Sequence, residues 1–198
     1  MKKSLMLILI GVLVLIPMVV NAAFPDVAST HWAAGFINEL TDKGVINGYN
    51  DGTFKPENTL TKGEFLKLIV TASMPHLDYS LAPKDFEHWA AGYVKVAENY
   101  SALEKGVINS SNINEPITRI EVITILSLCD INMRENAQVS ADMMNFSDIN
   151  DLSMREFILL SHAVGNGIIN GYNDGTFKPY NNLTRAEASK ILSVYMNK

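Results

Sequence analysis

The chain has 198 residues, with 16 Lys and Arg against 21 Asp and Glu, so its formal net charge at pH 7 is −5. An acidic balance argues against nucleic acid as a partner, and a single Cys excludes an internal disulfide. The length is ample for the buried core of one or two ordinary domains.

In chain order, the first element reads as an address. Lys2 and Lys3 precede an almost unbroken apolar run from Leu5 to Ile16, then Pro17, then Val20-Asn21-Ala22 with short residues at the −3 and −1 places of a cleavage site. This is the pattern of a secretory signal peptide over residues 1–22. The rival reading, an uncleaved anchor, has only the 16 residues from Leu5 to Val20, where a spanning helix needs about 20. Cleavage after Ala22 leaves 176 residues, and with Lys2 and Lys3 gone, 14 basic residues stand against 21 acidic, a net charge of −7. No Cys lies near residue 22 to carry a bacterial lipid anchor.

The remainder of the chain is a repeat. Residues 44–56 (GVINGYNDGTFKP) return as residues 167–179 (GIINGYNDGTFKP), with only Val45 against Ile168 differing. His31-Trp32-Ala33-Ala34-Gly35 returns as His88-Trp89-Ala90-Ala91-Gly92. Thr61-Lys62-Gly63-Glu64 returns as Thr118-Arg119-Ile120-Glu121 and again as Thr184-Arg185-Ala186-Glu187. The repeats define three units, about 24–72, 85–130 and 146–197, joined by linkers around Met74–Lys84 and Arg134–Asn145.

Each unit is expected to hold two helices. The first helices are Ala33 to Asp42, roughly Ala90 to Glu104, and Met154 to Val164, with Phe36, Ile37 and Leu40, then Tyr93, Val94 and Ala97, as inner faces. The second helices open on Thr-x-x-Glu, a capping box in which the Thr hydroxyl takes the third amide and the Glu reaches back to the cap. Behind it, apolar residues fall at i, i+3, i+4 and i+7: Phe65, Leu68, Ile69 and Ala72; Val122, Ile125, Leu126 and Cys129; Ala188, Ile191, Leu192 and Tyr195. One stripe three times over means three equivalent helices facing a shared centre, with Cys129 as a small core residue rather than a reactive thiol. Between the helices, Asn50-Asp51-Gly52 and Asn173-Asp174-Gly175 are turn chemistry, and a short hairpin-like excursion is expected before Pro56 and Pro179. A lone helix pair of this length cannot bury its apolar face, so the three units pool their stripes in one central bundle.

Lys62, Arg119 and Arg185 occupy the first helical position of the second helices, where a cation opposes the helix dipole at a cost of roughly 0.3–1 kcal/mol. Repeated three times, that placement suggests that a cation and free helix amides converge on an external anion, with Arg offering a bidentate fork for a carboxylate. The bland account is a solvated cation offset by the nearby Glu. Trp32 and Trp89 lie 30 residues before Lys62 and Arg119, and Arg155 lies 30 before Arg185. Such a Trp either covers a sugar ring or plugs the space between prongs.

The loop from Asn47 fails as a calcium site, because Tyr49 stands at position 3 and Asn58 at position 12. His31 and His88 are expected as helix-start polar contacts, not metal ligands. No nucleophile–base set or paired carboxylate is apparent, so neither a catalytic role, a metal nor a cofactor is expected.

The residues Phe24-Pro25-Asp26-Val27, His31-Trp32-Ala33, Gly44-Val45-Ile46-Asn47-Gly48-Tyr49, Asp51-Gly52-Thr53-Phe54-x-Pro56 and Leu183-Thr184-Arg185-Ala186-Glu187 resemble the S-layer homology (SLH) family, over nearly all of residues 23–198. The resemblance implies a mainly α fold, three tandem motifs forming a pseudo-threefold, three-pronged spindle around a central three-helix bundle. It implies non-covalent binding of an anionic secondary cell wall polymer, in many members a pyruvylated amino-sugar polymer and in some envelopes modified peptidoglycan, in grooves between motifs. Carried over by position, it implies ligand binding by Asp26 and Asp148, Trp32 and Trp89, Gly48 and Gly171, and Lys62, Arg119 and Arg185, the last three pairing with a ligand carboxylate. It places the protein outside the cell, on the wall or S-layer.

The second unit departs from the pattern, with Asn109-Ser110-Ser111-Asn112-Ile113-Asn114 in place of the long loop; the third lacks the Trp; the first has Lys-Gly for Arg-Ala. Three equal grooves are therefore not expected. The alternative to a polymer-binding module is a free-standing structural protein that self-associates or recruits an envelope partner.

Overall fold

The computed structural model describes residues 24–74, 76–78, 80, 86–99, 108–129 and 145–198. The expected signal peptide, most of both linkers, the far end of the first helix of unit 2 and the side chain of Cys129 lie outside the described residues.

Six helices run in order: α1 (Ala34–Asp42), α2 (Lys62–Ser73), α3 (Ala91–Asn99), α4 (Arg119–Cys129), α5 (Met154–Gly165) and α6 (Arg185–Met196). Among the described residues there is no strand, only three isolated bridges. The expected hairpin-like excursion is a tight turn instead, with Tyr49 N–H donating to Thr53 O and Tyr172 N–H to Thr176 O.

The three capping boxes form as the sequence requires. In α2 the Glu64 N–H donates to Thr61 Oγ1 at 3.2 Å and the Thr61 N–H to Glu64 Oε2 at 2.8 Å. Thr118–Glu121 and Thr184–Glu187 repeat both bonds. A fourth box, Ser153–Glu156, starts α5; it was not among the expected caps, although the Ser-x-x-Glu signature is present. α1 has no side-chain cap of this kind. His31 Nδ1 instead accepts the Ala33 N–H, and His88 Nδ1 accepts the Ala90 N–H, each at 3.1 Å.

The expected stripes are buried: Phe65, Leu68 and Ile69, then Val122, Ile125 and Leu126, then Ala188, Ile191 and Leu192, with Ala72 and Tyr195 half-buried. Leu66 and Val70 on α2, Ile123 on α4, and Ser189 and Ser193 on α6 are buried as well. A helix buried on more than one face lies inside the structure rather than on it. α2 packs on both α4 and α6, while among the described residues α4 and α6 make no comparable contact. Ile37 and Leu40 on α1 and Val94 and Ala97 on α3 face the core and Tyr93 packs at its edge, while the expected inner-face residue Phe36 is half-buried.

The helices pair across units. Each first helix packs on the second helix of the preceding unit: α3 on α2, α5 on α4, and α1 on α6. The last pairing joins the start of the described chain to its end. Glu39 of α1 accepts from Ser193 Oγ of α6 and, at 2.7 Å, from Asn197 Nδ2 just beyond it. The salt bridge to Lys43 and these bonds, set against burial, draw the Glu39 carboxyl down to about 2.

A closed ring of backbone hydrogen bonds links the three units just before their second helices. Leu60 N–H donates to Leu183 O at 3.0 Å, Leu183 N–H to Ile117 O at 2.9 Å, and Ile117 N–H to Leu60 O at 2.9 Å. All three side chains are buried.

Candidate functional site: two grooves between units

The loops that edge the grooves are built from the turn outward. In unit 1, Asp51 Oδ1 accepts from both Thr53 N–H and Thr53 Oγ1, at 3.0 and 2.6 Å, and Gly52 takes a positive φ of 80°. Lys55 is left-handed too, at φ 55°, a conformation a side chain rarely adopts. Asp26 holds it there, because its two carboxylate oxygens accept the Phe54 and Lys55 N–H groups at 2.8 and 2.7 Å. Against the effect of burial, those two amides hold Asp26 below the usual carboxylate range. Asp148 does the same for Phe177 and Lys178 in unit 3, and Lys178 repeats the left-handed turn at φ 56°.

Asp26 and Asp148 therefore clamp the loop, and neither borders the two grooves. Gly48 and Gly171 do border them, but their lack of a side chain has an internal cause. A Cβ on Gly48 would lie 2.4 Å from the Phe24 ring, and one on Gly171 would lie 2.0 Å from the Phe146 ring.

The helix-start cations reach across to the next unit. Arg185 donates from Nε to Phe54 O and from Nη2 to Asn47 O, both at 2.8 Å. Arg119 donates from Nε to Phe177 O and from Nη2 to Asn170 O, both at 2.9 Å, and from Nη1 to Glu187 at 3.3 Å. Tyr49 and Phe54 cover the Arg185 guanidinium, and Tyr172 and Phe177 cover that of Arg119, with centroids 4.5–4.7 Å away. Such cation–π contacts strengthen as water is excluded. Burial draws both guanidinium groups below the usual arginine range. Tyr172, hydrogen-bonded to Glu187 at 2.6 Å, is pushed up to about 12 by burial and that carboxylate.

Lys62 follows the same path into unit 2, where the long loop is missing. Its Nζ sits 3.0 Å from both Glu115 and Glu121. Burial opposes its charge, but the two carboxylates hold the ammonium above the usual lysine range. Next to it, a Cβ on Gly63 would lie 2.9 Å from the Ile113 side chain, which explains the glycine where the third unit has Ala186.

The expected free helix amides are not free. In α2, Lys62 N–H donates to Glu115 O and Gly63 N–H to Ile113 O. Arg119 and Ile120 donate to Asn181 O and Pro179 O, and Arg185 and Ala186 to Asn58 O and Pro56 O. Each third amide goes to the cap hydroxyl. The helix dipole is answered by carbonyls of a neighbouring unit rather than left for an anion.

Two grooves result, each lined from three units. The first, about 490 Å³, has Trp32 from unit 1, Arg119 from unit 2, and Asn170, Gly171, Tyr172, Glu187 and Lys190 from unit 3. The second, about 300 Å³, has Trp89 from unit 2, Arg185 from unit 3, and Asn47, Gly48, Glu64 and Lys67 from unit 1. The two sets correspond position by position except for Tyr172, whose counterpart Tyr49 does not line the second groove. Trp32 and Trp89 are 53% and 57% exposed, which rules out the plug and leaves the open aromatic face. Each lies against its preceding His, stacked for Trp32 and tilted for Trp89, with centroids 5.7 and 5.3 Å apart. Lys67 and Lys190 were not among the expected site residues. Their signal was present in the sequence, because each lies three residues after a capping-box Glu, on the same helix face.

Residues 23–66 and 145–189 match the model of the S-layer homology domain. Those stretches are most of the first and third units. The chain is also 26% identical over 182 residues to the S-layer protein EA1 of Bacillus anthracis, covering 87% of this chain and 20% of that one. It is 26% identical over 175 residues to an amylopullulanase of Thermoanaerobacterium thermosulfurigenes, covering 87% and 9%. A cellulosome-anchoring protein of Acetivibrio thermocellus is 34% identical over 93 residues, covering 40% and 20%. The chain thus spans about a fifth or less of the length of these relatives. The S-layer homology matches place it outside the cell, associated with the wall or S-layer.

Proposed function

We propose that the chain is a non-catalytic wall-anchoring module that holds an anionic secondary cell wall polymer in the two grooves, with carboxylated sugars, such as pyruvylated amino sugars, as the units recognised. In this reading residues 23–198 are one S-layer homology domain of three motifs, the second being the divergent one, arranged as a pseudo-threefold spindle. The carrying observation is the pair of equivalent grooves, each with an exposed Trp beside cationic side chains and backbone carbonyls. A Trp face matches the C–H face of a sugar ring, and both volumes fall in the range of roughly 300–1,000 Å³ typical of ligand sites. The closed backbone ring and the cyclic exchange of helix partners support the spindle. Relatives named as an S-layer protein, a cellulosome-anchoring protein and an amylopullulanase share the matched region, as expected of an anchor common to unlike cargoes.

The test is co-sedimentation of the purified protein with cell wall sacculi before and after acid extraction of the non-peptidoglycan polymer. Extraction should abolish binding. Unchanged binding would transfer the ligand to peptidoglycan, and no binding to either would overturn the anchoring role.

A further inference from the structure

Resting on that reading, we infer that Lys190 and Lys67, rather than the helix-start arginines, take the ligand's carboxylate, one in each groove, and that the third position between units is a closed joint that binds no polymer.

The cations differ in what they already hold. Arg119 and Arg185 are 3% and 6% exposed. Each gives Nε and Nη2 to two backbone carbonyls of the next unit, beneath a Tyr and a Phe ring. They hold the loop that forms the groove wall. Lys67 and Lys190 are half-buried, line the same cavities, and make no hydrogen bond or ion pair among the described residues. The carboxylate nearest Lys190 along its helix, Glu187, is held by Arg119, Tyr172 and the Thr184 N–H. Glu64, in the same relation to Lys67, is bonded to Thr61. An ammonium without a partner, on the wall of a cavity that also exposes a Trp, is placed to receive a carboxylate on a sugar whose ring lies on the indole. A charge-assisted hydrogen bond of this kind is short and about twice as strong as a neutral one.

The third position lacks both elements. Where the others have Lys67 and Lys190, unit 2 has Thr124, whose hydroxyl donates to Ile120 O at 3.0 Å. Arg155 stands in the place of the Trp. The helix-start cation, Lys62, lies between Glu115 and Glu121 with its side chain 14% exposed. Two carboxylates there repel a further anion.

Trp32 and Trp89 are the only tryptophans, so each groove carries its own fluorescent reporter. The full chain is titrated with wall-polymer fragments released by acid, and with the same fragments after carbodiimide amidation of their carboxylates. In Trp89→Phe, which reports the Trp32 groove, adding Lys190→Gln should weaken binding about tenfold or more, the loss expected for one charged hydrogen bond. Lys67→Gln should leave that groove unchanged. In Trp32→Phe the two lysines exchange roles. Amidated fragments should bind the parent protein as weakly as the Lys variants bind native ones, and calorimetry should count two sites.

Undiminished binding by both Lys variants, with binding lost in Trp32→Ala and Trp89→Ala, would overturn this inference and leave the grooves standing. If neither the Lys nor the Trp variants lose binding, the grooves themselves are wrong. Three sites would reopen the Lys62 joint, and full binding of amidated fragments would remove the carboxylate.

Discussion

Arg185 Nε donates to the carbonyl of Phe54, 131 residues earlier in the chain, at 2.8 Å. The same guanidinium reaches Asn47 O, so one side chain of unit 3 fixes both ends of the loop of unit 1. Arg119 does this for unit 3, and the groove walls depend on these crossings before any ligand arrives.

Arg185→Met should therefore destabilise the fold. It strands the buried carbonyl of Phe54, at about 1–3 kcal/mol for a buried group left unpaired, and the partly buried carbonyl of Asn47, which costs less, so a loss of about 2–4 kcal/mol is expected in urea unfolding. Arg185→Lys should recover only part, because an ammonium cannot reproduce the planar fork. An Arg185→Met variant as stable as the parent would show that the crossing does not support the loop.

Gly171→Ala should cost about 1–3 kcal/mol by overpacking, since the new Cβ would meet the Phe146 ring. Phe146→Ala in the same chain should relieve part of that cost, giving a coupling of more than about 0.5 kcal/mol in a double-mutant cycle. Strict additivity would leave the close approach without energetic content. At Gly48 the rescue by Phe24→Ala should be smaller, because the Thr53 carbonyl also lies 2.8 Å from the Cβ position.

Glu39 predicts an acid limb to stability. Its folded value of about 2 lies below the ordinary 4.5, so the unfolded state binds the proton first. Its contribution is complete above about pH 4.5 and is lost as pH falls towards 2. Glu39→Gln should be less stable at pH 7 and show a shallower fall between those values in thermal unfolding followed by circular dichroism. An identical pH profile would mean that the α1–α6 tie carries no linked proton.

Thr184→Ala removes the cap hydroxyl of α6 and should lower stability by about 1 kcal/mol. Ser153→Ala at the more exposed start of α5 should cost no more than that. Calorimetric midpoints of the two variants would rank them, and a larger loss at Ser153 would contradict the burial of α6.

The sequence alone determined what is local. Capping boxes at Thr61, Thr118 and Thr184, the stripes behind them, and the turns at Asp51 and Asp174 each depend on residues within a few positions, so the helices and loops could be read directly. It also pointed to Trp32, Trp89 and the helix-start cations. It could not say which copy packs on which, because near-identical units offer near-identical faces, and a stripe on α1 fits α2 or α6 equally well on paper. Only the tertiary structure decided that α1 pairs with α6 and that each arginine lies in the next unit's loop. The same closure turned the helix-start amides inward, and left Lys67 and Lys190 facing the grooves. Burial assigned those roles, since a polar group sealed between units must find its partner there, whereas one on the groove wall keeps its capacity for a ligand.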